Sequence, residues 1–232
     1  MTNLTRKMKT KVLNAYDWFL IAGIIAANLV YSILSQTVDV LGTVTAVSGV
    51  LCVVLVAKGS ILNYFFGLIN VSLYAYVSFK ATAYGDAALN ALYYLPMQFI
   101  GYFAWKRRVQ DTQVKARRLT MKQRMLVAMG CAAAVVAVGF VLQACGAGQP
   151  FKDSATTVLS IVAQILMAMA FMEQWVLWIM TNVISVVMWV IFAIQGEPHA
   201  GMMVIMWVFY LLNSVNGLRV WLKLSDAEAG RN

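Results

Sequence analysis

Trp175, Trp178 and Asn182 are spaced i, i+3 and i+7 within the apolar segment from Glu173 to Trp189. In a helix this spacing places two indole rings and one amide on a single face. An indole stacks on a flat or cationic ring, and an amide pairs with hydroxyl or amide groups. A buried amide without a partner costs about 1–3 kcal/mol. We therefore expect this face to hold a polar ligand, with Asn182 near the middle of a membrane, where transporters commonly bind substrate.

Polar residues form similar stripes on other apolar segments. Asn90, Tyr94 and Gln98 recur at four-residue intervals, and Pro96 among them leaves the carbonyl of Leu92 without its helical donor. The other stripes are Asn63, Asn70 and Tyr74, and Trp207, Tyr210, Asn213 and Gly217. A single amide in a membrane helix usually only bonds a neighbouring helix, for about 0.6 kcal/mol. Four stripes facing one another instead indicate a lined cavity.

The apolar segments lack the groups that other mechanisms require. No segment has an acid, Lys, Arg or His near its centre, so a proton relay and a Schiff-base chromophore site are both disfavoured. No Gly-rich phosphate loop followed by Lys is present. Paired carboxylates and metal-ligand clusters, which a membrane enzyme needs, are not visible either. We expect passive facilitated transport, no enzyme activity and no cofactor.

The composition is that of an integral membrane protein. Of the 232 residues 62% are hydrophobic and only 12% are charged, and the mean hydropathy is +0.75. A membrane-crossing helix needs about 20 mostly apolar residues, which predicts an all-α fold of eight transmembrane helices. They are Tyr16 to Leu34, Val40 to Ala57, Ile61 to Phe79, Ala87 to Trp105, Met125 to Cys145, Ala155 to Phe171, Trp175 to Ile194 and Gly201 to Leu222.

The net charge of +9 follows the predicted topology. If the N-terminus is cytoplasmic, all but two of the 18 Lys and Arg residues, Lys80 and Lys152, lie on the cytoplasmic side. This positive-inside asymmetry predicts that both termini are cytoplasmic. The basic surplus is therefore topological, with contact to the lipid headgroups of the bilayer, and does not indicate a nucleic acid partner. The polar connection from Lys106 to Arg124 is expected to be a solvated linker or a short helix on the headgroups.

Two parts of the chain resemble each other. The run from Asn63 to Asn70 aligns with the run from Trp175 to Asn182, and Tyr94, Gly101 and Trp105 align with Tyr210, Gly217 and Trp221. We therefore divide the chain into a basic tail with a leading helix (1–37), a three-helix unit (38–105), a linker with a connecting helix (106–153), a second three-helix unit (154–223) and a C-terminal tail (224–232). Three crossings reverse direction and the fourth restores it, so the units form a 3+1+3 parallel repeat of the SWEET kind.

The sequence resembles the bacterial PnuC-type nicotinamide riboside transporters over essentially its whole length. The matching motifs are N-Y-x-x-G-x-x-N from Asn63, Y-G-D from Tyr84, L-P-M-Q from Leu95 with Gly101 and Trp105, and W-x-x-W-x-x-x-N from Trp175. The resemblance implies a homotrimer in the bacterial inner membrane. It also implies uptake of nicotinamide riboside, an NAD precursor, by facilitated diffusion that phosphorylation by a separate cytosolic kinase draws inward.

The resemblance also implies which residues contact the substrate. Trp178, Asn182 and Gln98 are its principal residues, and their neighbours are Trp175, Asn70, Tyr210, Asn213 and Tyr94. The nicotinamide ring of the riboside is a flat cation that suits an indole face. Thiamine, another flat cationic vitamin carried by related proteins, remains the alternative substrate.

Overall fold

A computed structural model describes residues 13–34, 36–81, 84–110, 113–146 and 150–229. All eight predicted apolar segments are helical. The helices are α1 (Ala15–Leu34), α2 (Val40–Ala57), α3 (Asn63–Lys80), α4 (Tyr84–Ala88), a π-helical turn (Leu89–Tyr94), α5 (Leu95–Lys106), α6 (Met121–Ala144), α7 (Pro150–Ala168), α8 (Gln174–Ile194) and α9 (Ala200–Ala229). The basic residues predicted before position 12 lie outside the described part of the chain.

Five of the described helices are long and apolar enough to cross a membrane: α1, α2, α6, α8 and α9. The helix α7 has a comparable length but carries Thr156, Ser160 and Gln164, and α3 carries two Asn residues. These polar residues lower the mean hydropathy of both helices. The number of crossings therefore stays a prediction, although every segment that it counts is a helix.

The π-helical turn joins α4 and α5 into one continuous helix. The N–H of Leu95 donates to the carbonyl of Asn90, five residues back, rather than to the usual position four residues back. Pro96 follows immediately and cannot donate a hydrogen bond. The widened turn thus lies directly before Pro96, within the stripe of Asn90, Tyr94 and Gln98.

The helices of the two predicted three-helix units pack in matching pairs, both within a unit and between the units. In the first unit α2 packs on α3, and in the second unit α7 packs on α8. Each of these first helices also contacts the last helix of the other unit, since α2 packs on α9 and α7 packs on α5. The remaining helices lie outside this core, α1 against α2 and α9, and α6 against α7.

One end of the bundle, which we call the basic end, carries Lys58 and the connection from Lys106 to Arg124. The described residues of this connection, from Arg107 to Thr120, are not helical. It forms a short antiparallel hairpin of β1 (Val109–Gln110) and β2 (Gln113–Val114). The N–H of Val114 donates to the carbonyl of Gly59 at 2.9 Å, and the N–H of Arg117 donates to the carbonyl of Ala170 at 2.7 Å. The linker is thus docked on the turns that follow α2 and α7, because its main chain finds hydrogen-bond partners there.

A buried layer of aromatic rings joins the units just inside the basic end. The indole N–H of Trp105 donates to the carbonyl of Met167 at 2.8 Å, and that of Trp221 donates to the carbonyls of Val56 and Ala57 at 3.2 Å. Trp105 and Trp221, each near the end of the last helix of its unit, therefore bond the end of the first helix of the other unit. Trp175 packs on Trp221 with 6.1 Å between ring centroids.

The leading helix α1 is attached to this core by a buried ion pair. Lys58 Nζ lies 2.6 Å from Asp17 Oδ2, and the Asp17 side chain is fully buried. A buried carboxylate that loses its cation is strongly destabilising. The ion pair therefore holds α1 against the end of α2.

Candidate functional site

A cavity lies between the two units and reaches from the aromatic layer toward the end opposite the basic end. Its volume is about 120 Å³, which is room for several adjacent water molecules or part of a small organic ligand. All the long helices of both units contribute to its wall. The polar and aromatic lining residues are Asn70, Tyr74, Asp86, Asn90, Tyr94, Gln98, Thr156, Ser160, Gln164, Trp175, Trp178, Thr181, Asn182, Ser185, Trp207, Tyr210 and Ser214.

Seven of the eight predicted site residues line this cavity: Trp178, Asn182, Gln98, Trp175, Asn70, Tyr210 and Tyr94. Trp178 lies on α8 and Tyr94 lies on the π-helical turn of the opposite unit, with 6.3 Å between ring centroids and 41° between ring planes. Both side chains are only partly buried. They form a tilted aromatic pair across the unit boundary, and their faces suit contact with a flat ligand.

The two amides lie on facing units and retain hydrogen-bonding capacity. Gln98 Nε2 donates to the Tyr94 carbonyl at 3.2 Å, whereas Gln98 Oε1 is buried and has no protein partner. Asn182 Nδ2 donates to Ser214 Oγ at 2.6 Å, which uses one of the two hydrogens of that nitrogen. Buried polar atoms are normally paired. The Gln98 oxygen and the second N–H of Asn182 are therefore suited to a ligand that has both donors and acceptors.

Close helix approach brings Gln98 into the cavity wall. A methyl group added at Gly67 of α3 would overlap Gln98 Oε1. Gly67 thus provides the space in which the Gln98 amide lies, which explains the glycine in the first sequence motif.

Trp175, Asn70 and Tyr210 line the cavity and also take part in the packing of the units. Trp175 Nε1 is buried without a protein partner, and a side chain at Gly217 would overlap its ring. The Tyr210 hydroxyl donates to Asn70 Oδ1 at 3.3 Å, and Asn70 Nδ2 donates to the Thr45 carbonyl at 2.9 Å. Since the Asn70 side chain has protein partners for both atoms, its orientation is set before any ligand arrives.

The structure does not bring Asn213 to the cavity. Its side chain is fully buried, and Nδ2 donates to the Val53 carbonyl at 2.7 Å. The neighbouring residue Ser214 lines the cavity in its place. Asn63, part of another predicted stripe, likewise bonds locally, from Nδ2 to the Ser60 carbonyl at 2.7 Å.

The helix α7 contributes lining residues that sequence reasoning missed. Thr156, Ser160 and Gln164 line the cavity and repeat at four-residue intervals. The signal that identified the stripe of Asn90, Tyr94 and Gln98 was therefore also present here. Asp86 was missed for another reason: the predicted helix began at Ala87, whereas α4 begins at Tyr84 and places Asp86 in register with Asn90.

The cavity carries little charge. Among the described residues that line it, Asp86 is the only charged side chain. No group of three or more His, Cys, Asp or Glu residues that could hold a metal ion occurs in the described part of the chain. The site is therefore built for binding through rings, amides and hydroxyls.

Comparison with known proteins identifies relatives along most of the chain. Residues 39–223 match the family described as nicotinamide mononucleotide transporter. The nicotinamide riboside transporter PnuC of Neisseria mucosa is 41% identical over 200 residues, which cover 82% of this chain and 75% of that protein. The PnuC of Haemophilus influenzae is 39% identical over 79% of this chain and 80% of its own length. The PnuC of Escherichia coli is 32% identical over 84% of this chain and 88% of its own length.

A solved structure has the same fold. A protein described as the vitamin B3 transporter PnuC has a crystal structure that superposes with a TM-score of 0.82 at 36% identity, covering 93% of this chain and 94% of that one. These relatives are transporters, which agrees with the prediction that this chain is not an enzyme. Sequence, fold and cavity thus agree, and the chain belongs to the nicotinamide mononucleotide transporter family, together with the PnuC nicotinamide riboside transporters.

Proposed function

We propose that this protein imports nicotinamide riboside by facilitated diffusion through the cavity between its two units. The observation that carries the proposal is the combination of the tilted pair Trp178 and Tyr94 with the amides of Gln98 and Asn182 around one small cavity. The pyridinium ring of the riboside is flat and cationic, which suits the aromatic faces. Its carboxamide and ribose hydroxyls supply donors and acceptors for the amides.

The riboside fits this cavity better than the mononucleotide does. A phosphate group is usually recognised by Arg, Lys or backbone N–H groups at a helix N-terminus. Among the described residues that line the cavity there is no Lys, Arg or His. The family description names the mononucleotide and the relatives are named for the riboside, and the chemistry of the lining favours the riboside.

The helix arrangement, the orientation in the membrane and the direction of transport complete the proposed function. The reciprocal contacts of Trp105 and Trp221 with the opposite unit support a parallel 3+1+3 repeat of the SWEET kind with eight crossings. We place the protein in the bacterial inner membrane with the basic end and both termini in the cytoplasm, as the positive-inside rule favours. The protein forms a homotrimer. Phosphorylation by a cytosolic riboside kinase traps the imported product and commits it to NAD synthesis.

Calorimetric titration of the purified protein tests this proposal. Nicotinamide riboside, nicotinamide mononucleotide and thiamine are titrated separately under the same conditions. We expect saturable binding of the riboside and at least about tenfold weaker binding of the other two, a difference of roughly 1.4 kcal/mol. Preferential binding of thiamine would show that thiamine, rather than the riboside, is the ligand of this site. Preferential binding of the mononucleotide would contradict the conclusion that the lining of the cavity does not recognise a phosphate group.

A further inference from the structure

Asp86 lies at the end of the cavity opposite the aromatic layer. It precedes Asn90, Tyr94 and Gln98 at intervals of four residues, and all four line the same cavity. Asn90 Nδ2 donates to the main-chain carbonyl of Asp86 at 2.9 Å, which holds the two residues in register. The acid therefore continues the stripe that carries the ligand-facing amide.

The hydrogen bonds around Tyr74 fix the direction in which its hydroxyl acts. The indole N–H groups of Trp189 and Trp207 both donate to the Tyr74 oxygen, at 2.7 and 3.1 Å. An indole N–H can only donate, so the Tyr74 hydrogen is left for its contact with Asp86 Oδ2 at 3.2 Å. A phenol that donates to a carboxyl group stabilises the ionised form of that group.

These residues come from both units. Tyr74 lies on α3, Trp189 on α8 and Trp207 on α9, and Tyr74 is 3% exposed. The aromatic rings pack edge to face, with 5.9 and 6.1 Å between the Tyr74 centroid and the two indole centroids. The assembly thus holds one carboxylate oxygen in place and leaves the acid on the cavity wall.

Two opposite charges, Lys152 and Asp153 at the start of α7, act on the Asp86 carboxyl. They lie 3.9 Å from each other and neither lines the cavity. Asp86 therefore supplies the net negative charge of the wall.

We infer that Asp86 is a specificity-determining residue that recognises the positive charge of the pyridinium ring and disfavours anionic ligands. The inference rests on the proposed riboside function. The aromatic faces attract a cationic ring through their quadrupoles, and a carboxylate on the wall of a low-dielectric cavity adds a full negative charge that attracts it further. The same charge repels a phosphate group.

The test compares two ligands that differ mainly in ring charge: nicotinamide riboside and its reduced dihydropyridine form, which is uncharged. Both are titrated into the wild-type protein, into Asp86→Asn and into Glu197→Gln. The Asn side chain keeps an oxygen that accepts from Tyr74. Glu197 lies between α8 and α9 and does not line the cavity, which makes it the matched control.

We expect the wild type to bind the charged riboside about tenfold or more tightly than the reduced form. In Asp86→Asn the affinity for the charged ligand falls by about the same factor, while the affinity for the reduced form changes by less than about twofold. Glu197→Gln should leave both affinities unchanged. An equal loss for both ligands in Asp86→Asn would assign Asp86 a purely structural role and overturn the inference, as would unchanged binding of both.

The wild-type measurement keeps the inference open to refutation even if Asp86→Asn does not fold. Equal affinities of the wild type for the charged and reduced ligands would refute charge recognition. If the wild type bound neither ligand, the riboside proposal itself would fail, and this outcome differs from the loss of charge discrimination alone.

Discussion

Replacement of Asn182 by Ala tests the centre of the candidate site. The Asn182 side chain is 2% exposed and donates one hydrogen to Ser214 Oγ at 2.6 Å. The second N–H and the amide oxygen remain for the ligand. A neutral hydrogen bond contributes about 1 kcal/mol, so the loss of two raises the dissociation constant by roughly 30-fold.

The same change should cost little stability. Ser214 Oγ donates to the Tyr210 carbonyl at 2.8 Å, so Ser214 keeps a partner for its hydrogen when the Asn182 amide is removed. We expect a loss of about 1 kcal/mol in the free energy of unfolding, from the single missing bond. The variant should elute at the same oligomer size as the wild type.

The matched control is Asn28→Ala. Asn28 lies on α1, is 1% exposed and donates from Nδ2 to the Ile24 carbonyl at 2.7 Å. The substitution Asn28→Ala thus removes an amide that is equally buried but lies outside the cavity. Calorimetric titration of this variant should show a riboside affinity within about twofold of that of the wild type. Near-native riboside affinity in Asn182→Ala, or an equal loss in Asn28→Ala, would refute the site assignment.

Three further substitutions test the packing around the cavity and the proposed orientation in the membrane. Asn213→Ala should lower the free energy of unfolding by about 1 kcal/mol, because it removes the hydrogen bond from Asn213 to the Val53 carbonyl of α2. Thermal denaturation measures this loss, and an altered riboside affinity would show that Asn213 does contribute to the site. Gly67→Ala should raise the dissociation constant by about tenfold through overlap with Gln98, whereas Gly130→Ala, with open space around it, should not, and calorimetry that shows equal affinities would contradict this. A cysteine at Lys115, in a background without native cysteines, should resist an impermeant thiol reagent in intact cells and react in inverted vesicles; labelling from outside would reverse the proposed orientation.

The sequence by itself determined the helices and much of the cavity wall. Long apolar segments form helices because a lipid environment leaves the main chain no other hydrogen-bond partners. The spacing of Asn90, Tyr94 and Gln98 was sufficient to place them on one face, since helix geometry fixes side-chain direction at every fourth residue. The aromatic and amide pattern from Trp175 to Asn182 identified the facing wall for the same reason.

Only the tertiary structure decided which face met which neighbour. Asn213 and Ser214 are adjacent, and a step of about 100° between them turned the first toward the Val53 carbonyl and the second toward the cavity. Asp86 became part of the wall because α4 begins before the apolar segment and a tyrosine from α3 reaches it. The basic linker became a docked hairpin because its main chain found partners at Gly59 and Ala170. Helix periodicity is a local property, whereas these partners come from distant parts of the chain and depend on how the units pack.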